Sequence, residues 1–212
     1  MSHAELDAPE PTPGGETPAA APAARKRPKP GERRVQILQA LATMLEQPGA
    51  ERITTAALAA RLEVSEAALY RHFASKAQMF EGLIEFIEQS VFTLINQITE
   101  REAAGPSQAG RIVTMLIQFA EKNPGMTRVM VGDALVFENE RLQQRMNQFF
   151  DKVEASLKQC LRAADGATPT VDAQVRASVM TAFIVGRLQR FARSGFKRVP
   201  SEHLEASLSR ML

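Results

Sequence analysis

Residues 52–76 read RITTAALAARLEVSEAALYRHFASK, and this stretch decides the fold. Thr54 and Thr55 supply side-chain oxygens able to cap a first short helix, satisfying amides that have no partner within it. Ala57, Leu58 and Leu62 give that helix an inward face. Ser65 caps a second helix, in which Ala68, Leu69 and Phe73 point back to the core. Glu66, Tyr70, Arg71 and His72 are left outside. A helix with one free polar face can lie in the major groove while its predecessor crosses the backbone. The spacing predicts a helix-turn-helix over 54–73. Two short helices and a turn also arise as plain packing elements, so their surroundings have to decide.

Charge is the first of those surroundings. The chain of 212 residues has a formal net charge of +2. Residues 1–24 carry Glu5, Asp7, Glu10 and Glu16 with no Lys or Arg, a net −4. Residues 25–76 hold ten basic and five acidic side chains, a net +5. Positive charge is thus concentrated in and before the proposed reading element, as a polyanion partner requires.

Composition narrows the rest. With 44% hydrophobic residues the chain has enough apolar side chains for a real core. It lacks the run of about 18 apolar residues that a membrane-spanning helix needs. The start, MSHAELDAPEPTPGG, has no basic segment followed by an apolar one, so a cytosolic location is expected. One cysteine, Cys160, rules out an internal disulfide and a cysteine-rich metal site, and its helical spacing with Leu157 and Leu161 reads as buried.

Periodicity organises the remainder as all α. Residues 1–30 are rich in Pro, Ala and Gly and form an expected disordered arm, whose end ARKRPKPGERR suits either phosphates or solvent. Residues 31–91 are read as the DNA-binding domain and 92–212 as a helical dimerisation and partner-binding domain. A first helix over about 32–47 carries Val35, Leu38, Leu41, Ala42 and Leu45 as its stripe, ended by Gln47-Pro48-Gly49. Ser75 and Gln78 form a capping box that opens a long helix to about 100. Its buried face is Phe80, Leu83, Ile84, Ile87, Val91, Leu94, Ile95 and Ile98. A break rich in small residues spans 103–110. Further helices are expected at about 108–122, 125–138, 139–164, 170–194 and 202–211, with Asn123-Pro124-Gly125 as a turn and a loop over 163–170. Leu142, Met146, Phe149, Val153, Leu157 and Cys160 recur close to a heptad seam.

The segment 171–191 is apolar around much of its circumference, and a helix apolar on two sides needs two partners. Val175, Val179, Phe183 and Leu188 are therefore the expected interface of a two-fold homodimer, with Ala177, Ala182 and Gly186 allowing close approach. A central core helix would share that pattern.

The string LYRHFASK at 69–76 resembles the TetR family, in which Leu-Tyr-x-x-Phe-x-x-Lys closes the recognition helix and opens the long connecting helix. Two positions depart from that pattern. Glu63 stands where Gly commonly precedes Val-Ser, so it must take a left-handed conformation at a cost of roughly 1 kcal/mol. Ala74 stands where Pro is frequent. The resemblance implies an N-terminal helix-turn-helix domain, a C-terminal helical dimerisation domain and a palindromic site with half-sites roughly 34–36 Å apart. It also implies roles. Thr54, Thr55, Tyr70 and Lys76 would hold phosphates; Ser65, Glu66, Ala67 and Arg71 would meet base edges, with His72 nearby. Arg71 suits guanine bidentately and Ala67 a thymine methyl.

Residues 52–90, EKNPGMTRVMVGDALVFENERLQQRMNQFF at 121–150 and RFARSGFKRVP at 190–200 are more particular. They resemble the nucleoid-occlusion branch of that family. This implies a DNA-bound, nucleoid-associated homodimer that antagonises the division GTPase FtsZ and keeps the septum from closing over the chromosome. Phe86 and Phe92 lie off the buried stripe, so they and the loop at Lys122 and Asn123 are the expected partner-binding surface. The competing expectation is a repressor released by a small molecule, for which Thr114, Gln118 and Thr181 offer polar lining. An enzyme is the weakest class. No nucleophile elbow, phosphate-binding Gly loop or zinc spacing occurs, and His3, His72 and His203 are far apart in sequence. No cofactor or metal is expected.

Overall fold

The computed structural model describes residues 31–47, 52–103, 105–163 and 170–212. The arm at 1–30, Pro48 and Gly49 of the first turn, and the loop at 164–169 lie outside the described residues. All regular structure among the described residues is helical. In chain order come α1 (Glu32–Leu45), α2 (Thr55–Arg61), α3 (Glu66–Tyr70), α4 (Lys76–Arg101), α5 (Pro106–Lys122), α6 (Pro124–Met130), α7 (Glu140–Ala163), α8 (Thr170–Arg193) and α9 (Leu204–Met211).

α1 buries Ile37, Leu41, Ala42 and Leu45, whereas Val35 is 53% exposed. The expected stripe was therefore out of phase at its start: Ile37, not Val35, lies one turn before Leu41. Leu38 is half-buried and lies against Gly82 of α4, where a Cβ would stand 3.3 Å from its methyl carbon.

α4 is the spine. Ser75 Oγ accepts from the Gln78 amide at 3.2 Å, and Gln78 Oε1 returns to the Ala74 amide at 2.9 Å, one residue before the amide that a capping box would use. Its buried face is Met79, Phe80, Leu83, Ile84, Ile87, Val91 and Ile95. Leu94 is exposed and Ile98 half-buried, contrary to expectation, because both edge a groove against α5. At the far end Gln108 Nε2 donates to the carbonyls of Thr99 (3.2 Å) and Glu102 (3.0 Å), occupying acceptors the helix leaves open.

The helix expected over 125–138 stops at Met130. Gly132 takes φ +83°, its amide closing onto Val129 O at 3.0 Å, and a 3₁₀ turn (Asp133–Leu135) follows. This frees the chain to turn into α7. Along α7, Leu142, Met146, Phe149, Val153, Leu157 and Cys160 are all buried, as their heptad spacing implies. Burial pushes the Cys160 thiol up from its ordinary range, which suits a structural role. α7 and α8 form the most extensive helix pair. Arg145 holds Glu88 of α4 bidentately at 2.6 and 3.2 Å, and Arg141 pairs with Glu81. The Glu88 carboxylate raises the Arg145 pKa further.

One contiguous core runs from Ile37 in α1 to Leu204 in α9, so the N-terminal unit is fused to the bundle rather than strung from it. The tightest joint is α6 on α1. A Cβ at Gly125 would lie 1.9 Å from the Ala42 carbonyl oxygen, so only glycine fits there.

Candidate nucleic-acid interface

α2 and α3 owe their starts to hydroxyls. Thr54 Oγ1 accepts from the Ala57 amide at 3.1 Å, and Ser65 Oγ accepts from the Ala68 amide at 3.3 Å. Between them Glu63 takes φ +54°. Its amide reaches Ala60 O at 3.1 Å while the Val64 amide reaches Ala59 O at 3.0 Å, a Schellman closure with glutamate at the position glycine prefers. The left-handed residue expected from the sequence is present.

Burial then sorts the faces. Leu58, Ala59, Leu69 and Phe73 turn inward, whereas Ala57 is exposed and Ala68 only half-buried. Ala57 misses the core because the short helix rotates Ala59 into it instead. Glu66, Ala67, Tyr70 and Arg71 are exposed and His72 is half-buried.

Several of these side chains already have partners. Thr55 donates to Glu66 Oε2 at 2.5 Å, and the Tyr70 hydroxyl lies 3.5 Å from Thr55 Oγ1. Thr55, Glu66 and Tyr70 thus lock α2 to α3. Arg34 donates to the His72 carbonyl, and its guanidinium stands 4.2 Å over the Phe73 ring. A cation at the end of α3 complements the partial negative charge of that terminus. Lys76 Nζ pairs with Glu138 at 2.5 Å. With Thr54 and Ser65 spent on caps and Thr55, Glu66 and Tyr70 on one another, Ala67 and Arg71 form the freest part of the surface.

The expected partner surface is split. Phe86 is 49% exposed on α4, and a groove of about 260 Å³ runs between α4 and α5, lined in part by Leu94, Thr114, Met115 and Gln118. Lys122 is exposed at the end of α5. Asn123 is half-buried and spends its side-chain amide on Phe119 O at 2.7 Å, capping α5. Phe92 does not face outward; its ring meets Phe149 edge-on at 5.6 Å. Thr181 is also inward and bonds Ala177 O at 2.9 Å, so it lines no groove with Thr114 and Gln118.

On α8, Val175 and Val179 are 55% and 50% exposed, and Val171, which sequence reasoning missed, is 75% exposed. Phe183 is half-buried beneath the Arg187 guanidinium. Leu188 is 0% exposed within the protomer. It belongs to the protomer core and not to the free face, because it shares the side of Ala177, Met180 and Ile184 that packs inward. Exposed Val136 and Phe137 before α7 were also missed; Arg52 stands 4.6 Å over the Phe137 ring. Among the described residues no three His, Cys, Asp or Glu side chains gather as a metal site, and no helix is long and apolar enough to cross a membrane.

Residues 37–83 match the bacterial regulatory proteins of the tetR family, and residues 107–211 match a tetracyclin repressor-like C-terminal domain of SlmA-like type. The chain is 51% identical over 177 residues to the nucleoid occlusion factor SlmA of Idiomarina loihiensis, covering 82% of this chain and 90% of that one. Identity to the protein of the same name from Vibrio vulnificus is 50% over 181 residues, covering 84% and 92%. Among solved structures, the fatty acid degradation regulator FadR of Bacillus halodurans superposes with a TM-score of 0.71 at 12% identity, covering 86% of this chain and 95% of that one. The TetR family regulator PfmR of Thermus thermophilus gives 0.69 at 20%, covering 84% and 97%. At such identities the likeness concerns the fold alone.

Proposed function

The chain belongs to the tetR family of DNA-binding regulators, on its SlmA branch, and from that premise we propose that it is a nucleoid occlusion factor. It acts without enzymatic chemistry, as a homodimer on a palindromic site, and as an inhibitor of FtsZ-ring assembly over the chromosome. The observation carrying this reading is identity of about one residue in two across nine-tenths of relatives that bear that name. The match includes the C-terminal half, over residues 107–211.

In this reading Arg71 and Ala67 meet base edges, while Tyr70 and Lys76 hold the backbone. Thr55 and Glu66 have a second task besides any DNA contact, holding α2 and α3 at a fixed angle. Two protomers pair through Val171, Val175 and Val179 of α8, which sets both recognition helices on one side of the duplex. The groove between α4 and α5 takes an extended segment of FtsZ, and exposed Phe86 of α4 and Lys122 of α5, outside its lining, extend the contact. The groove's rim holds Arg101 and the Arg111–Glu102 ion pair (2.9 Å) beside Leu94 and Met115, so a largely apolar segment with an acidic residue for Arg101 fits it best.

The alternative is a ligand-released repressor. It would use the cavity of about 500 Å³ bounded by Met130, Gly132, Asp133, Phe150, Val185 and Arg193. Mapping bound sites across the chromosome separates the two. Sites scattered over the nucleoid and sparse near the terminus support occlusion; a single site beside an adjacent promoter contradicts it.

A further inference from the structure

From Ala173 to Ser201 the chain carries six cations and no carboxylate. Arg176 pairs with Asp172 at 3.0 Å. The other five, Arg187, Arg190, Arg193, Lys197 and Arg198, gather on the last two turns of α8 and the turn after it. That turn is built to be rigid. The Phe196 amide donates to Phe191 O at 3.0 Å and the Gly195 amide to Ala192 O at 3.1 Å, while the Phe191 and Phe196 rings meet edge-on at 5.1 Å. The Arg198 amide is held by Ser194 Oγ at 2.9 Å.

Arg187 is fixed by the Glu202 carbonyl at 2.8 Å and by Ser207 Oγ at 3.3 Å. No hydrogen bond or ion pair reaches the side chains of Arg190, Arg193, Lys197 or Arg198 among the described residues. Arg187, Arg190 and Arg198 converge, three cations against the single carboxylate of Glu202, on a cavity of about 160 Å³, enough for a phosphate group. By contrast, Arg141 and Arg145 of α7 and Arg176 of α8 each have a carboxylate partner.

Its position adds to the case. Arg128 of α6 stacks over Phe196 at 5.0 Å, and α6 rests on α1 through Gly125. The cluster thus occupies the end of the bundle that joins the DNA-reading unit. Val171, Val175, Val179, Ala182, Gly186, Arg190 and Arg193 also recur at helical steps of four and three, sharing one face. If the valines pair about a two-fold axis that runs along the helices, guanidinium groups from both protomers meet at that end. Like charges so placed repel unless an anion lies between them.

We infer that this cluster is a second polyanion-binding surface, set near the two-fold axis between the recognition helices, and that its occupant is the phosphate backbone of the bound duplex. The inference rests on the proposed DNA-binding dimer. It extends the footprint to base pairs that α3 does not reach, through charge that carries no sequence information.

The test measures binding of the full chain to a random-sequence duplex of about 30 base pairs at several KCl concentrations, beside a site selected from a random pool. Two double variants are compared, Arg190→Gln with Arg193→Gln, and Lys197→Gln with Arg198→Gln, each confirmed dimeric by sedimentation. The second pair lies beyond the α8 face, so it removes charge without touching the seam. Each variant should lower the slope of log K against log salt by about two units per half-site and weaken binding at least tenfold at about 150 mM salt, with preference for the selected site kept. Wild-type binding with unchanged slopes in both variants would overturn the inference and leave the DNA-binding reading intact. The same holds if only FtsZ inhibition, or only binding to phosphatidylglycerol vesicles, is lost. Failure of the wild type to bind any duplex would overturn the reading itself.

Discussion

Lys76, at the first residue of α4, reaches Glu138 just before α7 and pairs with it, Nζ to Oε1 at 2.5 Å. The cation proposed to hold a phosphate is thus already held by a carboxylate that is only 10% exposed. If Lys76 holds a phosphate as proposed, phosphate and Glu138 compete for it, and through it the duplex would be connected to the segment that opens α7. Glu138→Gln removes the competitor and should strengthen binding to every duplex a few-fold. Lys76→Ala should weaken binding to all sequences alike and lower the salt slope by about one unit per half-site. Fluorescence anisotropy against salt checks both, and weaker binding by the Glu138 variant would contradict the competition.

Arg71 follows α3 as its C-cap and is exposed, with no partner among the described residues. Arg71→Ala should cost about 1–3 kcal/mol on the selected site and much less on random duplex, since a bidentate base contact discriminates by that amount. Equal losses on both would assign Arg71 to the backbone.

Glu63 holds φ +54° in the turn of the helix-turn-helix. Glu63→Gly should relieve roughly 1 kcal/mol of backbone strain and raise Tm by about 2–4 °C. A fall in Tm would mean that the side chain contributes more than its backbone costs.

Gly125→Ala places a carbon where the Ala42 carbonyl oxygen stands. Overpacking against backbone should destabilise by about 1–3 kcal/mol or more. It should also loosen α1 from α6, weakening DNA binding at temperatures where the protein remains folded. Thermal melts with and without duplex measure the two effects.

Local signals were the legible part of the chain. Thr54, Ser65 and Ser75 were readable as caps because the chemistry of a cap lies within three residues. Glu63 was readable as left-handed from its place in the turn. The phase of a helix against its partners was less legible. Val35 and Ile37 are both apolar, and only the packing of α1 on α4 and α6 decides which is buried. The same ambiguity placed Leu188 on the dimer face and Phe92 outward, since an apolar residue off one stripe can sit on another. The end of α6 was hidden because the apolar spacing continues past Gly132 while the backbone does not. Pairings such as Lys76 with Glu138 or Thr55 with Glu66 join positions that sequence spacing does not link.

The most direct measurement is pelleting of FtsZ polymers in the presence of GTP, with this protein added alone and together with a duplex carrying its selected site. The account predicts that the protein–DNA complex keeps FtsZ in the supernatant far better than protein alone. It also predicts that Phe86→Ala, still dimeric and still bound to DNA, loses that effect. Full pelleting with the wild-type complex, or release of the duplex by a small metabolite with no effect on FtsZ, would contradict it.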